Sequence, residues 1–323
     1  MDAVPYNFIH DVAVLAEWQC FSQLQSPLWE SVAQLYSSNC EYFTVSFRQT
    51  ERGIEHIIWS YSDGCITPEY VRKNYRFVRV YRVVVDILHD DERREWANAA
   101  VLSEEKTKEM LETMLCARSQ LSMQAEPQFL SAQRTLMSLL RDNLRFTTLR
   151  LAYHGEIAEE FLSYQIDHSK ILKEVLLGES EWPNSVLTLI KKFCLQRRKN
   201  SVKACFSRTK IEGFDAVEFI EEFVDFWKQN GHLMCKFNYE VDEQTWSSLT
   251  EKEIDDYSCY THALRHPTEK SIAYVWGGKV DGYVEFYRCV CSNNRPESRE
   301  CRAKCYYPRM GINVTEERVG EEW

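Results

Sequence analysis

The chain has 323 residues and a formal net charge of −10, with 44% apolar and 27% charged residues. This length allows roughly two domains of about 150 residues each, and the composition excludes disorder and collagen-like or linker-rich repeats. The acidic balance argues against nucleic acid as a whole-surface partner.

The first residues, Met1-Asp2-Ala3-Val4-Pro5, lack a basic stretch and a long apolar run, so no secretory signal is expected. Apolar runs such as Val83-Val84-Val85 are too short to cross a bilayer. With 12 cysteines and no secretory route, a reducing cytoplasm and/or nucleus is the expected home. Most thiols should then be free and buried.

Residues 1–40 predict a small helical motif. Pro5 suits a first helical turn, and Phe8, Val12 and Leu15 follow on one face. Leu28 to Tyr36 predicts a second short helix, with Trp29, Val32 and Leu35 or Tyr36 facing one way. Two such helices bury little area alone and must pack on something else. They form either a flap over the main core or an adaptor-docking motif.

Residues 41–100 predict an antiparallel strand meander. Tyr42–Phe47 and Ile54–Tyr61 alternate and are rich in β-formers. Phe77–Ile87 is a third strand, whose arginines on both faces imply an edge or exposed rim. Pro68–Tyr75, between them, reads as a short helix or loop. His89-Asp90-Asp91-Glu92 is a polar break and a poor metal site, with no other ligand nearby.

Residues 101–256 predict an irregular helix–strand array. Amphipathic helices alternate with short strands four times between residues 127 and 240. Val186, Leu189, Ile190 and Phe193 form a clear helical set. Asp215 and Glu218 form a capping-box pattern, and Gly231 is a C-cap signal. The corresponding strand positions Arg150, Val175, Ala204 and Lys236 recur about every 25 to 32 residues, as in leucine-rich repeats. A stacked solenoid is favoured over an open α/β domain, and no Gly-rich loop supports a nucleotide site.

Residues 257–291 predict a C-terminal β meander: Tyr257–Arg265, Ser271–Gly277 and Tyr283–Cys291. Residues 292–323 read as a polar tail. The expected fold class is therefore α/β (α+β).

The N-terminal pattern resembles the F-box. That motif opens on an apolar-Pro pair, here Val4-Pro5. Apolar residues follow at Phe8 and Val12, then Leu15, Leu24 and Trp29. Val4 stands for the usual Leu and Asn7 for an acidic residue, and the spacing from Pro5 to Trp29 is shortened, so the motif is degenerate. Followed by the strands ending in Arg76-Phe77-Val78-Arg79-Val80, it is similar to a nematode lineage-expanded family of F-box-like proteins. The resemblance implies a substrate-recognition subunit of a cullin–RING ubiquitin ligase. It implies that Val4, Pro5, Phe8, Val12, Leu15, Leu24 and Trp29 bind a Skp-type adaptor, while the repeat region recognises a target protein.

Other chemistry is thin. Cys289, Cys291, Cys301 and Cys305 could hold a tetrahedral zinc ion or stay as free thiols. Lys191, Lys192, Arg197, Arg198 and Lys199 fit a helix C-terminal dipole, or alternatively an import or acidic-peptide surface. No metalloprotease, nucleophile-elbow or Walker sequence occurs. The expectation is a non-catalytic interaction protein with no cofactor, no nucleic acid and no membrane. The alternatives are a stand-alone repeat scaffold whose N-terminal helices are only a cap, and an enzyme with a dispersed site.

Overall fold

A computed structural model describes residues 8–9, 12, 26–50, 53–60, 64–74, 77–85, 96, 99–113, 119–123, 130–178, 180–196, 201–206, 209–231, 233–239, 260–266, 271–277 and 282–288. It is a mixed α/β protein. The chain divides into two compact units, Met1–Leu172 and Lys173–Trp323.

The first unit contains α1 (Pro27–Asn39), β1 (Glu41–Thr50), β2 (Gly53–Ser60), β3 (Gly64–Ile66), α2 (Pro68–Lys73) and β4 (Val78–Val85). It continues with β5 (Ala100–Leu102), α3 (Glu104–Thr113), β6 (Ser119–Met123), α4 (Leu130–Asn143), β7 (Phe146–Leu151) and α5 (Glu156–His168). Its strands lie in the order β7–β6–β4–β1–β2–β3, with β5 also paired to β2. β1 and β2 form the expected antiparallel hairpin, with Val45 opposite Ile58.

The third strand departs from the expected antiparallel meander. β4 runs parallel to β1, with Val45 opposite Val83. A parallel return needs a crossover of a dozen or more residues, and the stretch carrying α2 supplies it. Pro68 opens α2, and the Thr67 hydroxyl accepts a bond from the Tyr70 amide at 3.3 Å. Nor is β4 an edge, because it lies between β1 and β6. Arg79 is buried there and made tolerable by local bonding: its Nη1 donates to the Val78 carbonyl at 2.8 Å.

The core of this unit packs Phe43, Val45 and Phe47 from β1, all fully buried. The Phe146 and Phe161 rings meet at 6.3 Å. Two buried polar side chains of and just after α5 satisfy carbonyls at the start of β7. Gln165 Nε2 donates to Leu144 O at 2.9 Å, and Ser169 Oγ donates to Phe146 O at 3.1 Å.

The second unit contains β8 (Glu174–Leu177), β9 (Glu181–Trp182), α6 (Ser185–Leu195), β10 (Val202–Cys205), β11 (Lys210–Ile211) and α7 (Ala216–Asn230). β12 (Cys235–Tyr239), β13 (Tyr260–Arg265), β14 (Ser271–Gly277) and β15 (Gly282–Arg288) follow. β8, β10 and β12 are parallel neighbours. β13, β14 and β15 form the expected antiparallel meander, and β15 pairs antiparallel with β12. That docking onto β12 had no signal in the local sequence. Neither did the two-residue parallel ribbon between β9 and β11.

Period-two alternation decides which face of this sheet is covered. Val175, Leu177, Val202, Ala204, Cys235, Phe237 and Tyr239 are buried, while Glu174, Lys203, Lys236 and Asn238 between them are partly exposed. α7 covers the buried row: Phe219 and Phe223 lie 5.6 and 4.4 Å from the Phe237 ring. The helix starts where the capping pattern placed it, with the Glu218 amide donating to the Asp215 carboxylate at 3.0 Å. It stops at Gly231, whose φ of 66° suits a residue without Cβ. Near that end, Trp227 Nε1 donates to Ser271 Oγ at 2.7 Å, tying the helix to β14.

The register corrects the sequence alignment by one residue. Ala204 lies opposite Phe237, and Lys203 lies opposite Lys236. A slip would turn the apolar row outward, so burial selects the register. Phe237 joins helix and sheet, so Phe237→Ala should destabilise the chain by about 3–5 kcal/mol. Chemical denaturation of the purified protein reads this; a change below about 1 kcal/mol would contradict that packing.

Candidate protein-interaction surfaces

The N-terminal head is built on one buried cluster. Phe8, Ile9 and Val12 are helical. Ile9 is fully buried against Trp29, Val32, Ala33 and Tyr36 of α1, and Val12, Leu28, Cys40 and Phe77 pack partly buried around them. The Tyr36 and Phe77 rings are 5.4 Å apart, and the Arg79 guanidinium stands 5.7 Å from the Tyr36 ring centroid. These two contacts fasten the head to the start of β4. Burial pushes the Cys40 thiol above its ordinary pKa, and the charge of Arg79 partly offsets that rise.

Phe8 behaves differently from its neighbour: it is 52% exposed, one of the large apolar side chains left in solvent. Phe8 and Val12 are four residues apart and share a helical face. On α1, Leu28 and Leu35 are two turns apart and only partly buried. Three polar side chains of that helix turn back on their own backbone. Ser31 Oγ donates to Leu28 O at 2.8 Å, Ser37 Oγ to Gln34 O at 2.9 Å, and Asn39 Nδ2 to Leu35 O at 2.8 Å. Donors already satisfied lower the cost of drying this surface against a partner.

Of the residues that the F-box resemblance assigns to adaptor binding, Val12 packs against the cluster that buries Trp29, and Phe8 lies exposed outside it. Trp29 is 6% exposed, so it supports the head from inside. Val4, Pro5, Leu15 and Leu24 lie outside the described residues, as do Cys289, Cys291, Cys301 and Cys305.

A second candidate surface is the face of the second unit's sheet opposite α7. Glu174, Lys203, Lys236 and Glu285, all partly exposed, lie side by side on successive strands, with the buried Tyr274 next in the row. Lys203 Nζ is 2.7 Å from Glu174 Oε1, and Lys236 Nζ lies 3.6 Å above the Tyr283 ring. Tyr274 and Tyr283 are 5.9 Å apart. The face is therefore a charge-balanced, aromatic strip. Its signal in the sequence was the polar half of each alternating strand.

The carboxyl ends of β8 and β10, where α/β proteins commonly bind small ligands, are tied together. Thr209 Oγ1 donates to Leu177 O at 2.6 Å and contacts Gly178 O at 3.0 Å. The β9–β11 ribbon pairs the same two loops. Among the described residues, no group of three or more His, Cys, Asp or Glu could hold a metal ion. No helix there is long and apolar enough to cross a membrane. In the basic run, Lys191 forms an ion pair with Glu222 of α7 and lies over the Phe219 ring. Residues 197–199 lie outside the described set.

Comparison with known proteins found no match: no protein-family model matches the chain, and no curated protein matches its sequence.

The head makes a sharp stability prediction. Ile9→Ala should cost about 2–4 kcal/mol, whereas Phe8→Ala should stay within about 0.5 kcal/mol. Equal losses in denaturant melts would contradict the separate roles. A second prediction concerns His154, which is buried and has neither ring nitrogen bonded among the described residues. Burial lowers its pKa below the ordinary 6.5. Its contribution is therefore whole above the unfolded-state value and is lost as pH falls from about 6.5 toward the lower folded value. His154→Leu should flatten the fall in Tm between about pH 7 and pH 5; an unchanged slope would contradict it.

Proposed function

We propose that the chain is a non-catalytic protein-interaction subunit, an F-box-like substrate-recognition protein of a cullin–RING ubiquitin ligase. The observation that carries this reading is the head itself. It closes its own buried cluster through Ile9 and Trp29 yet leaves Phe8 in solvent. An exposed aromatic on a firmly anchored helix is suited to an apolar partner groove. In this reading Val4, Pro5, Phe8, Val12, Leu15 and Leu24 meet a Skp-type adaptor, and Trp29 holds the docking helices in place. The charge-balanced face of the second unit receives the target protein. No residue needs to react: holding target and ligase together raises their effective concentration. The thiols of Cys40, Cys65, Cys194, Cys205 and Cys235 fit work in a reducing cytoplasm or nucleus.

The alternative is a stand-alone scaffold capped by its N-terminal helices. The contacts of Tyr36 with Phe77 and Arg79 favour it, because they fix the head to the sheet. Co-expression with a Skp-type adaptor separates the two readings. The wild-type chain should co-purify with adaptor and cullin, and the Pro5→Ala, Phe8→Ala double variant should lose at least about tenfold in affinity, the equivalent of 1.4 kcal/mol. A folded wild-type chain that captures no adaptor would sink the ligase reading and leave the scaffold.

A further inference from the structure

Two bulges in the sheet of the first unit turn arginines onto one face. Where β4 pairs with β1, Phe43 lies opposite Val80 and Thr44 opposite Arg82, so Tyr81 is an extra residue. Val80 and Val83, three residues apart, are therefore both buried on the side of Phe43 and Val45. Arg82 is turned to the side of Thr44. Where β7 pairs with β6, Phe146 lies opposite Ser119 and Thr148 opposite Gln120, so Thr147 is extra. Phe146 and Leu149 are both fully buried, and Thr148 and Arg150 alternate to the other face. A bulge interrupts the ladder and re-aims the side chains that follow it.

The register sets out two neighbouring rows, Thr44–Arg82–Gln120–Thr148 and Ser46–Val84–Ser122–Arg150. Arg82 is half-buried and Arg150 exposed, and neither forms an ion pair with a described residue. The Thr44 hydroxyl across from Arg82 is buried without a hydrogen-bond partner among the described residues, so Arg82 spends no donor on it. Glu55 of β2 shares this face, but Arg48 Nε neutralises it at 2.6 Å. Two uncompensated positive charges are left on a chain whose net charge is −10. Two strand spacings and two residues of rise put their Cα atoms about 12 Å apart.

We propose that Arg82 and Arg150 form a docking site for an extended acidic segment of a partner protein. Each guanidinium offers a planar fork that matches a carboxylate. In an extended segment, residues four apart point the same way and are about 13 Å apart. Carboxylates at positions i and i+4 therefore span the two arginines. A nucleic acid fits this face poorly, because its dense charge is repelled by the acidic chain as a whole and two cations neutralise little of it.

The test titrates the full-length chain into a labelled Ser/Thr peptide with glutamates at i and i+4, read by fluorescence anisotropy. Saturable binding with Kd below about 1 mM is expected, weakened at least about fivefold by Arg150→Glu and by Arg82→Glu. Arg82→Gln replaces the latter if it does not fold, and circular dichroism checks each variant. Raising salt from about 0.05 to about 0.5 M should weaken binding. So should moving the glutamates to adjacent positions. The proposal is overturned if the peptide does not bind, or if its Gln counterpart binds equally well. Unchanged affinity in folded Arg150→Glu overturns it too. A single-stranded oligonucleotide that binds more tightly and displaces the peptide would make nucleic acid the occupant instead. No adaptor and no residue of the second unit enters these measurements, so this inference and the proposed function stand or fall separately.

Discussion

Everything in the second unit depends on one row of buried side chains. Val175, Ala204 and Phe237 stand in register on three parallel strands, and each is inaccessible to solvent. The strands are only four or five residues long, too short to be stable alone. They gain stability by offering this row to the helices, and α7 meets it with Phe219 and Phe223. Because alternate residues must point the other way, the same constraint creates the second face. The Glu174–Lys203–Lys236–Glu285 strip is thus a geometric consequence of the core.

The first unit applies a similar rule to different material. Its parallel strands β1, β4, β6 and β7 are also neighbours, but an antiparallel hairpin is added at the start. That arrangement buries polar groups, and Glu55 is one with a local answer. Glu55 is fully buried against Arg48 Nε at 2.6 Å, and the Arg48 guanidinium lies 4.4 Å from the Trp96 ring. Such a pair is tolerated because both hydrogen bonding and stacking replace water. The N-terminal head is attached to this unit by the aromatic and cation–π contacts of Tyr36, and Phe8 is exposed next to the buried Ile9 of that head.

Local patterns were legible in the sequence wherever one residue type settles the geometry. Asp215 with Glu218 started a helix and Gly231 ended it, whereas Pro68–Tyr75 left helix or loop open and the structure makes it a helix. The alternation in Ser271–Gly277 was enough to place a strand. What was hidden depended on partners distant in the chain. The direction of β4 is decided by a crossover and by β6, not by Phe77–Ile87 itself. Its arginines misled because Arg79 bonds to its own strand and stacks near Tyr36. The register at Lys236 was misread by one residue because spacing alone cannot show which row is buried. Trp29, assigned to a partner by its motif position, fills the head's interior, and Phe8 is the side chain left outside.

The account therefore rests on a division of labour within the head, with Ile9 and Trp29 holding it and Phe8 presenting it. Hydrogen–deuterium exchange of the full chain, with and without a Skp-type adaptor, tests this most directly. The account predicts slowed exchange confined to the segment from Val4 to Leu35, with the strands of the second unit unchanged. Adaptor-dependent protection on β8, β10 and β12, or no protection in the head at saturating adaptor, would contradict it.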